Sequence, residues 1–184
     1  MEPHIGFLVA ATAIAAIAAV WDAKTGHIPN ALSFATIVLS PPLHVLIMWQ
    51  VQGATKEDAL WYGGGFSLFG AVVSALVPLF MWRQSALGGG DVKLFIALGA
   101  LMQMQGLETQ MYAFVFAALI APAQLAYQGK LGTVLKNSGQ ILANAFLPKD
   151  RRKTIEAETA TWFRLGPSIF LGAALTTFVH WKDL

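Results

Sequence analysis

The sequence predicts an all-α membrane protein, a polytopic bundle of six transmembrane helices with an added amphipathic helix on its cytoplasmic surface. Three observations lead there. Of the 184 residues, 56% are hydrophobic and 12% are charged, where ordinary soluble domains carry about 25% charged residues. Apolar runs recur at lengths suited to a hydrocarbon core ~30 Å thick, which needs roughly 20 residues at ~1.5 Å each. Trp21, Trp49, Trp61, Trp82 and Trp181 stand at or near the ends of those runs, in the headgroup zone that indole rings prefer.

In chain order the runs are His4 to Trp21, Ala31 to Trp49, Leu60 to Trp82, Leu94 to Met104, Met111 to Tyr127 and Leu165 to Trp181. The first lacks the basic start of a secretory signal, and Asp22 and Lys24 stand where small cleavage-site residues belong, so it reads as a retained helix. The fourth is short, and crosses only if Asp91, Val92, Lys93, Gln103 and Gln105 extend it. Charge decides in favour of crossing. With six spans, Lys24, Arg83, Lys93, Lys130, Lys136, Lys149, Arg151, Arg152, Lys153 and Arg164 share one side and Lys56 and Lys182 the other. Without the fourth span that asymmetry largely disappears. The positive-inside rule therefore places both chain ends outside and the cation-rich loops in the cytoplasm.

The chain reads as one domain, 1–184, with a cytoplasmic segment from about residue 128 to 164 inserted before the last helix. In that segment Leu131, Val134, Leu135, Ile141, Leu142 and Ala145 recur at helical spacing opposite Lys130, Lys136, Asn137, Gln140 and Asn144. This is the pattern of a helix lying on the membrane surface. Pro148 to Thr159 reads as a solvated connection.

Several functions are excluded. No cysteine is present, which removes thiolate zinc sites and a cysteine nucleophile. A net charge of +2 without a basic stripe points away from nucleic acid. There is no His-Glu-x-x-His pair and no Gly-x-Ser-Gly segment. His4, His44 and His180 are scattered, so no metal and no cofactor is expected.

Two acids remain at apolar helix ends on the cytoplasmic side: Asp22 closes the first helix and Asp91 opens the fourth. Ionisable groups at the hydrocarbon boundary cost free energy that water-exposed positions avoid, and so mark function. Asp150, Glu156 and Glu158 belong to the polar segment and read as surface charge. Asp91 follows Gly88, Gly89 and Gly90, a backbone that a second chain can approach closely. Gly63, Gly64 and Gly65 form a triplet without an acid, which fits close helix packing. Asp22 leads through Lys24 and His27 to Ile28, Pro29 and Asn30, where the second helix starts. Lys93 reads first as a headgroup anchor, and His27 as a solvated side chain.

Asp22 with the Ile28, Pro29, Asn30 run, together with Gly88, Gly90, Asp91 and Lys93, resembles the type IV prepilin peptidase family, membrane aspartyl proteases with a Gly-x-Gly-Asp motif. The short chain is similar to the prepilin peptidases of tight-adherence (Flp-type) pili. The resemblance implies Asp22 and Asp91 as catalytic residues, with Gly88, Gly90, Lys93, Lys24, Pro29 and Asn30 binding substrate or supporting the site. It implies a prepilin substrate with a short basic leader, a glycine before the cut and a hydrophobic helix held among membrane lipids, and pilus-assembly machinery as a further partner. Larger members add a cysteine-rich domain and methylate the new N-terminus; without cysteine, methylation is not expected here. Many short members carry Pro-Tyr-Gly near the start of the last helix, where this chain has Arg164, Leu165, Gly166, Pro167 and Ser168, so the resemblance assigns no role there.

Two carboxylates held together repel as like charges, so one keeps its proton. The ionised one draws a proton from attacking water, and the protonated one donates to the developing oxyanion. Two rival readings are a small proton- or cation-coupled transporter or channel subunit, and a catalytically idle scaffold for pilus assembly. A transporter would place its acids near the bilayer midplane in repeated halves, and neither feature is present.

Overall fold

Helices make up nearly all of what the structure, a computed structural model, describes, namely residues 5–50, 53–84, 86–127, 129, 132 and 164–181. They are α1 (Ile5–Thr25), α2 (Asn30–Trp49), α3 (Lys56–Asp58), a π-helical stretch (Ala59–Gly65), α4 (Phe66–Arg83), α5 (Gly89–Met102), α6 (Gln105–Tyr127) and α7 (Gly166–His180). Each of the six apolar runs is thus a helix. Among the described residues, four segments are long and apolar enough to cross a bilayer: Ile5–Thr25, Asn30–Trp49, Lys56–Arg83 and Gln105–Ala123. The protein is an all-helical, multi-pass membrane protein. With 14 and 15 residues, α5 and α7 are shorter than the roughly 20 needed for a full crossing. The apolar positions of the expected surface helix, from Leu131 to Ala145, and the stretch from Pro148 to Thr159 lie outside the described residues.

Two compact units divide the chain, one formed by Met1–Phe116 with Arg164–Leu184 and the other by Ala117–Phe163. At the centre of the first is α5, which packs against α1, α2 and α4. Between Gly90 and Met102 no residue of α5 is exposed, as its continuous apolar run requires. Glycines let its neighbours come this close. A Cβ on Gly99 would lie 2.5 Å from the Gly70 carbonyl oxygen of α4, and one on Gly106 of α6 would lie 2.6 Å from the Gly99 Cα.

A short helix ending inside a membrane bundle leaves carbonyls without partners, and lipid offers none. Side chains of neighbouring helices satisfy them here. Ser67 Oγ donates to the Ala100 carbonyl at 2.6 Å, and His44 Nε2 donates to the Leu101 carbonyl at 3.0 Å. With its proton on Nε2, the neutral His44 ring accepts at Nδ1 from Gln103 Nε2 at 3.2 Å. Gln103 turns the chain out of α5 with φ 53°, and its amide also donates to the Tyr62 and Gly63 carbonyls of the π-helical stretch, each at 3.4 Å. The Gly63, Gly64, Gly65 triplet does serve close packing, since a Cβ on Gly63 would lie 2.8 Å from the His44 carbonyl oxygen.

The seam between α1 and α7 is built from small residues. Leu8, Ala11, Ala15, Ala18 and Asp22 are buried along one stripe of α1, facing a helix that buries Gly166, Ile169, Ala173 and Thr176. Both stripes step by three and four residues, the spacing of one helical face. Threonines cross-link it: the Thr12 and Thr177 hydroxyls are 2.8 Å apart, and Thr177 donates to the Leu8 carbonyl at 3.2 Å. Each such bond contributes about 0.6 kcal/mol in membrane proteins.

Candidate active site

Because the buried stripe of α1 runs to its last turn, it carries Asp22 into the bundle. At 6% relative exposure, Asp22 is the one buried acid among the described residues. Far along the chain, α5 starts after Gly88, its N-cap in extended conformation with φ −75° and ψ 146°, and Asp91 falls in the first turn. Asp91 is half-buried, and the two carboxylates are near enough for the charge of Asp22 to act on Asp91. Acids separated by most of three helices in sequence thus share one end of the bundle.

The glycines have separate tasks. A Cβ on Gly88 would lie 3.0 Å from Asp91 Oδ2, and one on Gly90 would lie 3.4 Å from the Ile28 Cβ. Gly88 therefore leaves space for the carboxylate that turns back over the helix start, while Gly90 admits the buried Ile28. Ile28 is itself part of the turn that connects Asp22 to α2, so this contact brings the two halves of the site together. Pro29 is the N-cap of α2, with φ −60° and ψ 125°, the φ its ring imposes.

Lys93 and Asn30 meet directly. The Lys93 ammonium donates to Asn30 Oδ1 at 2.9 Å and sits 5.3 Å from the centre of the Phe34 ring. Lys93 thus ties α5 to α2. Lys24 is exposed in the last turn of α1. His27 is exposed as expected, and its Nδ1 donates to the Thr25 carbonyl at 3.0 Å.

Sequence reasoning left the start of the last helix without a role, yet it borders Asp22. The Gly166 backbone N–H donates to Asp22 Oδ2 at 3.0 Å, and the Arg164 guanidinium donates to the Ala23 carbonyl at the end of α1. The three-four spacing shared by the α1 and α7 stripes is the signal that could have paired these helices. Groups of His, Cys, Asp and Glu suited to a metal ion are absent among the described residues.

A carboxylate held by a buried N–H beside a second carboxylate, at a helix start opened by glycines, is an arrangement that can activate water next to an incoming backbone. A family model described as the type IV leader peptidase family matches residues 9–125, the stretch that contains both acids and the whole Gly88 to Lys93 run. The chain belongs to this family.

Two curated relatives agree with that membership. A prepilin peptidase, EppA, of Methanothermobacter thermautotrophicus is 32% identical over 117 residues, 64% of this chain and 28% of the relative. A prepilin leader peptidase/N-methyltransferase of Vibrio cholerae is 33% identical over 102 residues, 54% of this chain and 36% of the relative. The match thus spans about a third of each relative's length. No solved structure is significantly similar.

Proposed function

We propose that this chain is a prepilin leader peptidase, an aspartyl endopeptidase that hydrolyses the bond between leader and pilin after a glycine. The observation that carries the reading is the pairing of Asp22, buried at the end of α1, with Asp91 in the first turn of α5, near enough to interact. In the catalytic cycle one carboxylate takes the proton of the attacking water while the other, protonated, donates to the oxyanion of the tetrahedral intermediate. Collapse of that intermediate transfers a proton to the leaving amine, which becomes the new N-terminus of the pilin. Gly88 and Gly90 keep the approach to Asp91 open, Lys93, Asn30 and Pro29 hold the start of α2 against α5, and Lys24 faces the aqueous boundary.

The same reading places six helices in the membrane, with α5 and α7 seated among longer helices, and sets the site on the cytoplasmic face that the distribution of lysine and arginine selects. Substrate then reaches the acids with its apolar helix still in the bilayer and its basic leader in the cytoplasm.

The test is co-expression with candidate prepilins, read by mass spectrometry of the pilin. A product trimmed after the leader glycine is expected. An unchanged prepilin in the presence of membrane-inserted protein, across all candidates, overturns the proposal. A further gain of one methyl group on the trimmed product would show the second activity that the Vibrio relative's name includes.

A further inference from the structure

Gly166 stands where α7 meets the end of α1, and among the described residues its N–H is the hydrogen bond that Asp22 receives, at 3.0 Å. The approach leaves no room for a side chain. A Cβ at position 166 would lie 2.8 Å from Asp22 Oδ2, 2.9 Å from the Asp22 Cβ and 3.2 Å from the Ala19 Cα. Two of those atoms belong to the root of a side chain and to helical backbone, so they can yield only if α1 and α7 separate.

Two neighbouring positions cannot stand in for this donor. Pro167 occupies the first turn of α7 and has no N–H to offer, while the Ile169 N–H is already given to the Leu165 carbonyl at 3.0 Å. Arg164 fixes the same junction by donating to the Ala23 carbonyl, one residue past Asp22. An N–H at a helix start is one of the donors the helix itself cannot use, and it favours a carboxylate there.

We infer that Gly166 is a positioning residue for the peptidase reaction: its N–H fixes Asp22 Oδ2, which leaves Oδ1 as the oxygen that works on water and substrate. This rests on the peptidase reading above. It gives the first turn of α7 a task in catalysis without contact to substrate.

The experiment compares full-length wild type, Gly166→Ala and Gly172→Ala in proteoliposomes, with a prepilin carrying a basic leader, a glycine and an apolar helix as the probe. Gly172 lies in the same helix and is equally crowded, since its Cβ would meet the Thr109 carbonyl oxygen at 2.6 Å, but it is away from Asp22. Displacing a catalytic group by about 1 Å costs on the order of 100-fold in rate, so Gly166→Ala is expected to lose about that much kcat with KM within about twofold. Gly172→Ala is expected to lose activity only in step with its folded fraction. The inference is overturned if Gly166→Ala, corrected for folded fraction, keeps kcat within about threefold of wild type, or if KM changes instead of kcat.

Should Gly166→Ala fail to fold, Arg164→Gln loosens the same junction without adding atoms; a fall in kcat at constant KM supports the inference and unchanged kcat overturns it. Asp22→Asn and Asp91→Asn are run alongside. If they still cleave, or if wild type cleaves nothing, the peptidase reading fails and this role with it. If they are inactive while Gly166→Ala is not, only the positioning role fails.

Discussion

Lys93 Nζ donates to Asn30 Oδ1 across 2.9 Å, joining the second turn of α5 to the first residue of α2. The bond connects the Gly-x-Gly-Asp-x-Lys segment to the Ile-Pro-Asn segment, so the two sequence motifs behave as one structural unit. Removing either partner should therefore have the same effect as removing both.

Lys93→Met and Asn30→Ala are each expected to destabilise the protein by about 0.5–1 kcal/mol, the range for one partly exposed hydrogen bond. The double variant should be no worse than the more severe single one, because residues in a shared bond do not add. Thermal melts of the three variants in detergent check this. Additive losses would mean the two side chains act independently.

Asp22→Asn and Asp91→Asn, made separately, should each lower leader cleavage by at least about 1,000-fold, the combined scale of losing proton transfer and oxyanion stabilisation. Membrane insertion should be unaffected and melting temperature unchanged or raised, since each variant removes one member of a like-charged pair. Cleavage assays beside melts separate the two effects. Activity surviving either change would remove that acid from the mechanism.

A bell-shaped pH dependence is expected for cleavage. At low pH both carboxyls are protonated and no base remains; at high pH both are ionised and no acid remains, so the rate falls on both sides. The two limbs belong to the pair and not to either residue. Rates measured from about pH 4 to about pH 9, a span that covers ordinary and raised carboxyl values, should show both limbs. A rate that only rises or only falls would contradict a shared proton.

Ser67→Ala and His44→Ala should each cost about 1–3 kcal/mol, the penalty for a buried acceptor left alone. Each exposes one of the last carbonyls of α5, Ala100 or Leu101, to an environment without water. Cleavage per folded molecule should stay near wild type, because both residues lie at the end of α5 opposite Asp91. Melting curves and rates normalised to folded protein test the pair of statements together.

Gly99→Ala should be the most damaging of the small substitutions. Its Cβ would meet Ser74 Oγ at 2.4 Å and the Gly70 carbonyl oxygen at 2.5 Å, and overpacking of this kind costs about 1–3 kcal/mol or more. Loss of folded protein in a detergent-solubilised extract is the readout. Gly6→Ala, with open space around the added methyl, should behave as wild type.

Much of this architecture was legible from residue order. The apolar runs fall on α1, α2, the π-helical stretch with α4, α5, α6 and α7, and the two motifs pointed to acids at the end of α1 and the start of α5. Helix ends were less legible. α6 begins at Gln105, well before the apolar run at Met111, because Glu108 reaches His180 on α7 at 2.7 Å and accepts from Tyr112 at 2.9 Å. A polar turn is tolerated in a membrane helix when neighbouring helices supply partners, and no single run of sequence records those partners. The bond of Lys93 to Asn30 was illegible for the same reason: hydropathy describes depth in a membrane, whereas this partner is found only when α2 and α5 are side by side. The contact of Gly166 with Asp22 was hidden because nothing around Gly166 in the sequence points to an acid 144 residues earlier. Only the matched spacing of Ala11, Ala15 and Ala18 with Ile169, Ala173 and Thr176 hints that their helices pair.

The brevity of α5 has a consequence for how the protein tolerates different membranes. A helix enclosed by protein from Gly90 to Met102 is released from the length that acyl chains impose on its neighbours, since serine, histidine and glutamine finish its far end instead of headgroups. The position of Asp91 relative to Asp22 then follows from the helices packed against α5, α1 among them, and not from the thickness of the lipid beside them.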